Sequence, residues 1–159
     1  YPAGPIISRR AAEGNRKFIS FPRAFRGVDT LDFSFSGFKS AVMRVAQTTP
    51  PAELKLHLND ICASLEEAIV DMLVERSLQA LKQCGEKNLV VGGGVSANQR
   101  LREKLSAALH RRGAKGYFPS SGLSTDNGAM IAAAALYRYK AGTLPQTQEP
   151  IKPNLALGH

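Results

Sequence analysis

The chain has 159 residues, of which 43% are hydrophobic and 21% are charged, so it is long enough for one domain and its composition excludes disordered and fibrous classes. Lys and Arg outnumber Asp and Glu by 21 to 13, a formal net charge of +8, which favours anionic partners. The two cysteines are too few for a disulfide framework and indicate a reducing compartment, the cytoplasm or an organelle. No apolar run is long enough to cross a membrane. Tyr1 stands where an initiator Met is expected, so we expect a piece of a longer protein.

The first part of the sequence predicts two short helices separated by an aromatic-rich loop. Tyr1–Pro5 is a Pro/Gly turn, and Ile6–Glu13 is a short helix that Gly14 ends. Residues 15–37 have loop composition but carry five phenylalanines, which we expect to pack on another part of the protein because exposing them is costly. Residues 38–45 form the second helix, which a Thr/Pro cluster terminates.

The strongest predicted helix runs from about Glu53 to Gln83, and Gly85 ends it. Apolar side chains at three- and four-residue spacings predict one buried face, formed by Leu58, Ile61, Cys62, Leu65, Ile69, Met72 and Leu73. Polar side chains are expected to fill the opposite face, namely Glu66, Glu67, Asp71, Glu75 and Arg76. Cys62 is therefore predicted to be a core residue, whereas Cys84 is expected to be exposed.

The remaining sequence alternates between strands and helices. The predicted elements are a buried strand at Asn88–Val91, a turn at Gly92–Gly94, a helix ending at Gly113, a strand at Lys115–Phe118 and an Ala-rich helix at Gly128–Lys140. Ser96 and Gln99 fit a capping box at the start of the first of these helices. The alternation predicts an α/β layer with parallel strands, followed by a surface strap at 143–159.

Two segments have the residue types that bind ligands. Glycines after a strand let backbone N–H groups approach an anion, and a following helix start favours negative charge; the alternative for Gly92–Gly94 is a plain strand-to-helix turn. Asp126 follows the second strand and either ligates a hard cation or caps the last helix. Because the ends of parallel strands meet at one edge of a sheet, both segments are predicted to lie there.

Basic residues cluster in two segments. The first is interleaved with phenylalanines and contains Arg9, Arg10, Arg16, Lys17, Arg23 and Arg26. The second surrounds the helix after the glycines and contains Arg100, Arg102, Lys104, His110, Arg111, Arg112 and Lys115. Such clusters attract phosphate backbones, and the alternative is a solvated basic face. The three histidines are isolated, so a complete metal site is not predicted.

Several motifs taken together resemble one known family. They are Tyr-Pro-Ala-Gly-Pro at 1–5, Phe-Pro-Arg at 21–23, Leu-Asp-Phe-Ser-Phe-Ser-Gly-Phe-Lys at 31–39, Gly-Gly-Val-Ser-Ala-Asn at 93–98 and Ser-Thr-Asp-Asn-Gly-Ala-Met-Ile at 124–131. In this order they resemble the C-terminal half of the tRNA N6-adenosine threonylcarbamoyltransferases of the TsaD type, formerly called O-sialoglycoprotein endopeptidases or glycoproteases. The resemblance covers Tyr1 to about Gly142.

The resemblance implies an α/β fold, one lobe of the actin, sugar-kinase and Hsp70-like ATPase fold, at residues 1–142 with a loop and helical insertion at about 15–83. The family transfers threonylcarbamoyl from threonylcarbamoyl-AMP to the adenosine beside the anticodon of tRNA. Its partners are proteins that make the adenylate or assist turnover. The full-length subunit holds one divalent metal, iron or zinc. The protease name has no support in this sequence, because neither a protease nucleophile set nor a zinc-protease helix is present.

Functional residues carry over from the family one position at a time. Gly4 matches a glycine that approaches the nucleotide, and Asn98 matches a residue that contacts the adenylate, with Gly93 and Gly94 beside it. Asp126 matches a carboxylate that ligates the metal. The first basic segment becomes the candidate for contact with the tRNA backbone, with Arg9, Arg10, Arg16, Lys17, Arg23 and Arg26.

The sequence departs from the family pattern in four places. Ala3 stands where glycine is usual, Ala24 and Phe25 replace Pro-Met, and Ser124 replaces a cysteine. The largest departure is the missing N-terminal lobe, which carries a phosphate loop and an HxxxH pair of metal ligands. Two hypotheses follow: the chain is the C-terminal lobe of a transferase and is inactive alone, or it is a stand-alone nucleotide- or partner-binding module, which can pair with itself as a homodimer. A generic kinase-like ATPase is a third and weaker hypothesis, because the family motifs are so specific.

Overall fold

The computed structural model describes residues 3–143. Within this range the regular elements are α1 (Ala3–Ala11), α2 (Ser36–Thr48), α3 (Pro51–Leu56), α4 (Leu58–Cys84), β1 (Asn88–Val90), α5 (Gln99–His110), β2 (Lys115–Tyr117) and α6 (Gly128–Lys140). Single 3-10 turns lie at Gly94–Ala97 and Ser121–Leu123. The chain forms two compact units that divide between Ser124 and Thr125. The first contains every element from α1 to β2, and the second contains α6.

Helix α1 begins earlier than the sequence predicts. We expected a turn at Tyr1–Pro5, but the helix already includes Ala3 to Pro5. Proline is tolerated in a first turn because its missing N–H has no partner inside the helix there. The helix ends before Gly14, as predicted. A Cβ atom on Gly14 would lie 2.0 Å from the backbone carbonyl oxygen of Asn59, so the turn after α1 packs directly against α4.

The predicted single helix from about Glu53 to Gln83 is two helices, α3 and α4, which join at His57. The backbone of His57 has φ −102° and ψ 17°. Its ring stacks on Phe18 with a centroid distance of 4.6 Å, and its Nδ1 lies 3.2 Å from the Asp60 carboxylate. These tertiary contacts override the continuous helical periodicity. Gly85 ends α4 with φ 68°, the left-handed conformation that the sequence predicts at a helix end.

Helix α4 is the centre of the first unit, and it is buried on more than one side. The predicted apolar face is confirmed at Ile61, Cys62 and Met72, which are buried. The predicted exposed polar face is wrong for Glu66 and Arg76, whose exposed fractions are 8% and 3%. Because α1, α5 and the loop before α2 all pack on α4, polar residues on its other faces are also covered, and each has acquired hydrogen-bond partners.

The aromatic loop packs only in part. Phe21 is buried, and its ring stacks on Phe38 of α2 with a centroid distance of 6.1 Å. Our expectation of packing is wrong for Phe25, Phe33 and Phe35, which keep 40–47% of their surface exposed, and Phe18 packs on His57 but stays 42% exposed. Within the described residues, this leaves an aromatic surface on the first unit.

Arg76 of α4 holds the loop in place. Its guanidinium donates from Nη1 to the carbonyl oxygens of Val28 at 2.8 Å and Thr30 at 2.7 Å, and from Nη2 to the carbonyl oxygen of Phe25. Phe25 has φ 56°, a left-handed conformation that non-glycine residues rarely adopt. A buried cation surrounded by carbonyl oxygens therefore compensates for a backbone turn that the loop sequence does not favour.

The sheet of the first unit consists of β1 and β2, which pair in parallel with Leu89 opposite Gly116. The parallel arrangement is confirmed. The prediction of a buried strand is wrong for Val90, which is 80% exposed. Leu89 and Val91 pack on the core that α4 and α5 share, so helices cover one face of this sheet. Alternate residues of a strand point to opposite faces, and Val90 lies on the other one.

The second unit is described from Thr125 to Thr143. Asn127 begins α6 by accepting a hydrogen bond from the backbone N–H of Met130 at 3.0 Å, and Gly142 has φ 67° after its end. The predicted boundaries of this helix are confirmed. The strap predicted at 143–159 lies outside the described residues apart from Thr143. No helix among the described residues is both long and apolar enough to span a bilayer.

Candidate functional site

The turn after β1 requires glycine for its backbone geometry. Gly93 has φ 81° and ψ 167°, a region that is essentially restricted to glycine. No heavy atom lies within 4 Å of the place where its Cβ would be, so crowding is not the reason. Gly92, Gly93 and Gly94 are all exposed. The turn thus presents backbone atoms to solvent in a conformation that side chains would disfavour.

This turn also offers unused donors. Among the described residues, no hydrogen bond uses the backbone N–H of Gly92, Gly93 or Gly94. A 3-10 turn follows directly, then α5, whose first turn contains no acidic residue. Free N–H groups and a helix N-terminus favour an anion such as phosphate.

Asn98 begins α5, and all its polar atoms have protein partners. Its Oδ1 accepts from the backbone N–H of Leu101 at 2.8 Å. Its Nδ2 donates to Ser8 Oγ at 2.9 Å and to Glu66 Oε1 at 2.7 Å. Asn98 therefore joins α1, α4 and α5. The predicted capping box at Ser96 is wrong, because that residue lies inside the 3-10 turn, where its buried Oγ has no hydrogen-bond partner among the described residues.

Arg102 connects the two segments that follow the strands. It donates from Nε to the carbonyl oxygen of Ser96 at 2.6 Å and from Nη2 to that of Pro119 at 2.6 Å. Its guanidinium also lies 5.3 Å from the ring centroid of Phe118. The segments after β1 and β2 therefore meet at one edge of the sheet, as the sequence predicts. Asp126 belongs to the second unit, and its place beside Gly93 stays a prediction.

A carboxylate of α4 anchors the start of α5. Glu67 accepts two hydrogen bonds from Arg100, at 2.6 and 2.9 Å, and a third from Lys104. Arg16 lies 3.8 Å away. The hydrogen bonds from Arg100, and with them the charge of Lys104, lower the pKa of Glu67 from 4.5 to about 2. This cluster fixes the first two turns of α5, and with them the position of Asn98.

Some basic side chains have hydrogen-bond or ion-pair partners in the protein, and others are exposed without one among the described residues. Arg23 forms an ion pair with Asp71 at 2.6 Å, Arg16 lies beside Glu67, and Arg10 donates to Asn59. In the second segment, Arg100, Arg102 and Lys104 are tied to protein partners as described above. In the first segment, the exposed cations whose side chains make no hydrogen bond or ion pair among the described residues are Arg9, Lys17 and Arg26.

The described residues do not assemble a metal site. Asp126 is exposed, and the described range contains no cluster of three or more His, Cys, Asp or Glu side chains that could hold an ion. Asp126 does not cap α6 either, since Asn127 does so. Gly4 lies in the first turn of α1, exposed, with no heavy atom within 4 Å of a Cβ built on it.

Two shallow cavities lie elsewhere on the first unit. One of about 270 Å³ is lined by Ile6, Arg9, Arg10, Glu13 and Asn59. The other, of about 460 Å³, is lined by Gly27, Val28, Asp29, Glu75, Gln79, Lys82, Gln83 and Arg112. Neither is lined by the glycine turn or by Asn98. The candidate site therefore lies apart from both cavities, at the exposed glycine turn.

Three residues that build this edge were not among the predicted site residues, namely Ser8, Glu66 and Arg102. A signal existed for Glu66, because it lies one helical turn after Cys62, in register with the apolar face of α4. A charged residue at a core-facing position indicates a buried polar contact. No comparable signal marks Ser8 or Arg102.

The comparisons with known proteins agree with the motifs. The family model described as TsaD, tRNA N6-adenosine threonylcarbamoyltransferase, matches residues 1–133. A protein of that name from Bordetella petrii is 50% identical over 144 residues, which are 89% of this chain and 41% of that protein. One from Desulfitobacterium hafniense is 47% identical over 139 residues (87% and 41%), and one from Clostridium beijerinckii is 42% identical over 158 residues (99% and 47%). The chain spans less than half the length of these curated relatives. It belongs to the tRNA N6-adenosine threonylcarbamoyltransferase family.

Proposed function

We propose that the chain is the C-terminal lobe of a tRNA-modifying transferase, which moves threonylcarbamoyl from threonylcarbamoyl-AMP to the adenosine beside the anticodon. Family membership, together with a match to under half of each relative, supports this assignment. The lobe is proposed to have the actin-like ATPase fold, of which the parallel β1–β2 pair with α4 and α5 on one face is a part. The observation that carries the proposal is the exposed glycine turn that leads to Asn98.

The proposed adenylate site lies where the chain offers donors without a protein acceptor. The N–H groups of Gly93 and Gly94 would bind the phosphate, since glycine lets the ligand approach the backbone closely. Asn98 would contact the nucleoside. Gly4 is proposed to approach the nucleotide from the first turn of α1, the helix that also carries Ser8, a partner of Asn98.

A divalent metal, iron or zinc, is proposed for the whole protein, with Asp126 as one ligand. The described residues do not fit a complete site, because a stable iron or zinc site needs three or four ligands and the described range supplies no such cluster. Further ligands would have to come from the N-terminal lobe.

The tRNA contact is proposed for Arg9, Lys17 and Arg26. Their side chains are exposed and make no hydrogen bond or ion pair among the described residues, whereas those of Arg16 and Arg23 lie beside carboxylates of α4. Exposed Phe18 and Phe25 are the sequence neighbours of two of the three, and aromatic rings beside cations suit RNA, whose phosphates need positive charge and whose unpaired bases stack.

The tRNA surface is tested by binding of fluorescent tRNA to the chain at several salt concentrations. Replacing Lys17 and Arg26 by Ser is expected to weaken binding and to reduce its salt dependence by about two phosphate contacts. The matched control is Lys82→Ser, an exposed lysine at the end of α4. If the control and the double variant bind alike, the assignment is wrong.

Transfer itself is tested by incubating tRNA and threonylcarbamoyl-AMP with the chain alone and with the full-length protein in the presence of its adenylate-forming and accessory partners. We expect transfer only with the full-length protein, because half of a cleft and one carboxylate leave the site incomplete. Transfer by the chain alone would contradict this. If Asp126→Ala and Asn98→Ser leave full-length activity unchanged, these two residues are not part of the site. If the full-length protein shows no transfer either, the alternative holds, namely a nucleotide- or partner-binding module without catalysis.

A further inference from the structure

The orientation of the Asn98 side chain is determined by its neighbours. Oxygen and nitrogen of an amide are normally hard to distinguish, but here one neighbour can only donate and another can only accept. The backbone N–H of Leu101 is a donor, so the atom 2.8 Å from it is Oδ1. The Glu66 carboxylate accepts when ionised, so the atom 2.7 Å from it is Nδ2. The Ser8 hydroxyl adapts and accepts the second hydrogen of Nδ2.

Protein partners use all but one of the hydrogen-bonding positions of the Asn98 amide. An asparagine amide has two donor hydrogens and two acceptor lone pairs. Glu66 and Ser8 take both hydrogens, and Leu101 takes one lone pair. One lone pair of Oδ1 remains. Glu66 keeps only 8% of its surface exposed, and a buried carboxylate that lost its donor would be costly, so the amide is held firmly in this state.

We propose that Glu66 and Ser8 are positioning residues that lock the amide of Asn98, so that the side chain can only accept a hydrogen bond from its ligand. The inference rests on the proposed adenylate site and deepens it. A phosphate oxygen is an acceptor and cannot bind to this side chain. Within the AMP moiety of the adenylate, the groups that can donate to it are the two ribose hydroxyls and the adenine amino group. Within that moiety Asn98 therefore selects the nucleoside, and the glycine turn is left to bind the phosphate.

The lock is tested on the 159-residue chain by NMR, through the exchange of the side-chain amide hydrogens of Asn98 with water. Asn127 is an internal control, because it also begins a helix through Oδ1, while its Nδ2 makes one hydrogen bond, to the carbonyl of Thr125. Both Asn98 hydrogens are expected to exchange at least about tenfold more slowly than the faster Asn127 hydrogen. Exchange as fast as that of the control would overturn the lock.

Variants separate positioning from general stability. Glu66→Gln keeps an acceptor oxygen and is expected to preserve the slow exchange, whereas Glu66→Leu is expected to release one hydrogen of Asn98. If Glu66→Leu does not fold, Ser8→Ala can be used instead. This variant is expected to speed the exchange of the second amide hydrogen of Asn98, which Ser8 accepts. Unchanged exchange in both Glu66→Leu and Ser8→Ala would show that these residues do not hold the amide.

The choice of ligand is tested by comparing the binding of AMP with that of three analogues that each lack one hydrogen-bond donor. They are the 2′-deoxy and 3′-deoxy nucleotides and the purine nucleotide without the amino group. One analogue is expected to bind about three- to tenfold more weakly than AMP to the wild-type chain. With Asn98→Ser, which retains an oxygen for the N-cap, that analogue and AMP should bind equally. Equal binding of all four ligands to the wild type would overturn acceptor selection. AMP that leaves the signals of residues 93–101 unmoved in both the chain and the full-length protein would instead refute the adenylate site, and slow exchange would still establish the lock.

Discussion

The Glu67 cluster gives the sharpest prediction of stability. Glu67→Gln removes the charge that binds Arg100 and Lys104 while keeping the shape of the side chain. The folded pKa of about 2, against 4.5 for a free glutamate, corresponds to an upper limit of about 3.4 kcal/mol at about 1.36 kcal/mol per pKa unit. Water reaches both cations, whose side chains are 27% and 28% exposed, so screening reduces the expected loss to about 1–2 kcal/mol at neutral pH.

The pH dependence of this loss has a defined sign. The pKa of Glu67 is lower in the folded than in the unfolded chain, so its contribution is complete above pH 4.5 and disappears as the pH falls towards 2. Urea denaturation of wild type and Glu67→Gln between pH 7 and pH 2 measures the difference. The matched control is Glu103→Gln, a carboxylate 4.0 Å from Arg100 that is 53% exposed; its effect should stay below about 0.5 kcal/mol. A Glu67→Gln loss that does not change with pH, or that equals the control, would show that the charge of Glu67 does not stabilise the folded chain.

Three further predictions concern single positions. Gly93→Ala is expected to lower the free energy of unfolding by about 1–3 kcal/mol, because the φ of Gly93 is positive. The control Gly92→Ala should change it by less than about 0.5 kcal/mol, since Gly92 has negative φ and no close neighbour. Equal urea midpoints for the two variants would show that the positive φ of Gly93 does not require glycine. Thiol reagents should label exposed Cys84 well before Cys62, since burial covers Cys62 and raises the pKa of its thiol. Peptide mass spectrometry measures the order of labelling, and equal rates would show that Cys62 is accessible. Gly14→Ala should lower the melting temperature, because its Cβ would overlap the backbone of α4 and overpacking costs about 1–3 kcal/mol; an unchanged melting temperature would mean that the turn after α1 can move.

Local patterns predicted the parts of the fold that depend on near neighbours. The helix predicted to end at Gly113 is α5, and its apolar residues Leu101, Leu105, Ala108 and Leu109 form a buried face, since residues three and four apart share a side of a helix. Gly85 correctly marked the end of α4, because the left-handed conformation there suits glycine. The parallel pairing of β1 with β2 followed from the helix between them.

What the sequence could not predict depends on distant partners. Arg76 and Glu66 were expected on a solvated face, and both are buried because residues 32 to 51 positions away provide their hydrogen bonds. No periodicity encodes such contacts. The sequence also could not show which of the basic residues are free to bind tRNA. Arg16 and Arg23 differ from Lys17 and Arg26 in having a carboxylate of α4 within reach, and that is a tertiary contact.

The contacts of Arg76 have a consequence for the order in which the chain folds. The carbonyl oxygens that its guanidinium binds lie 46 to 51 residues earlier, and the loop at residues 25–30 has few hydrogen bonds of its own. The loop can therefore take its shape only after α4 has formed and docked, which makes it a late step in folding. The same segment should be among the first to open in the native state, so its amide hydrogens should exchange well before those of α4.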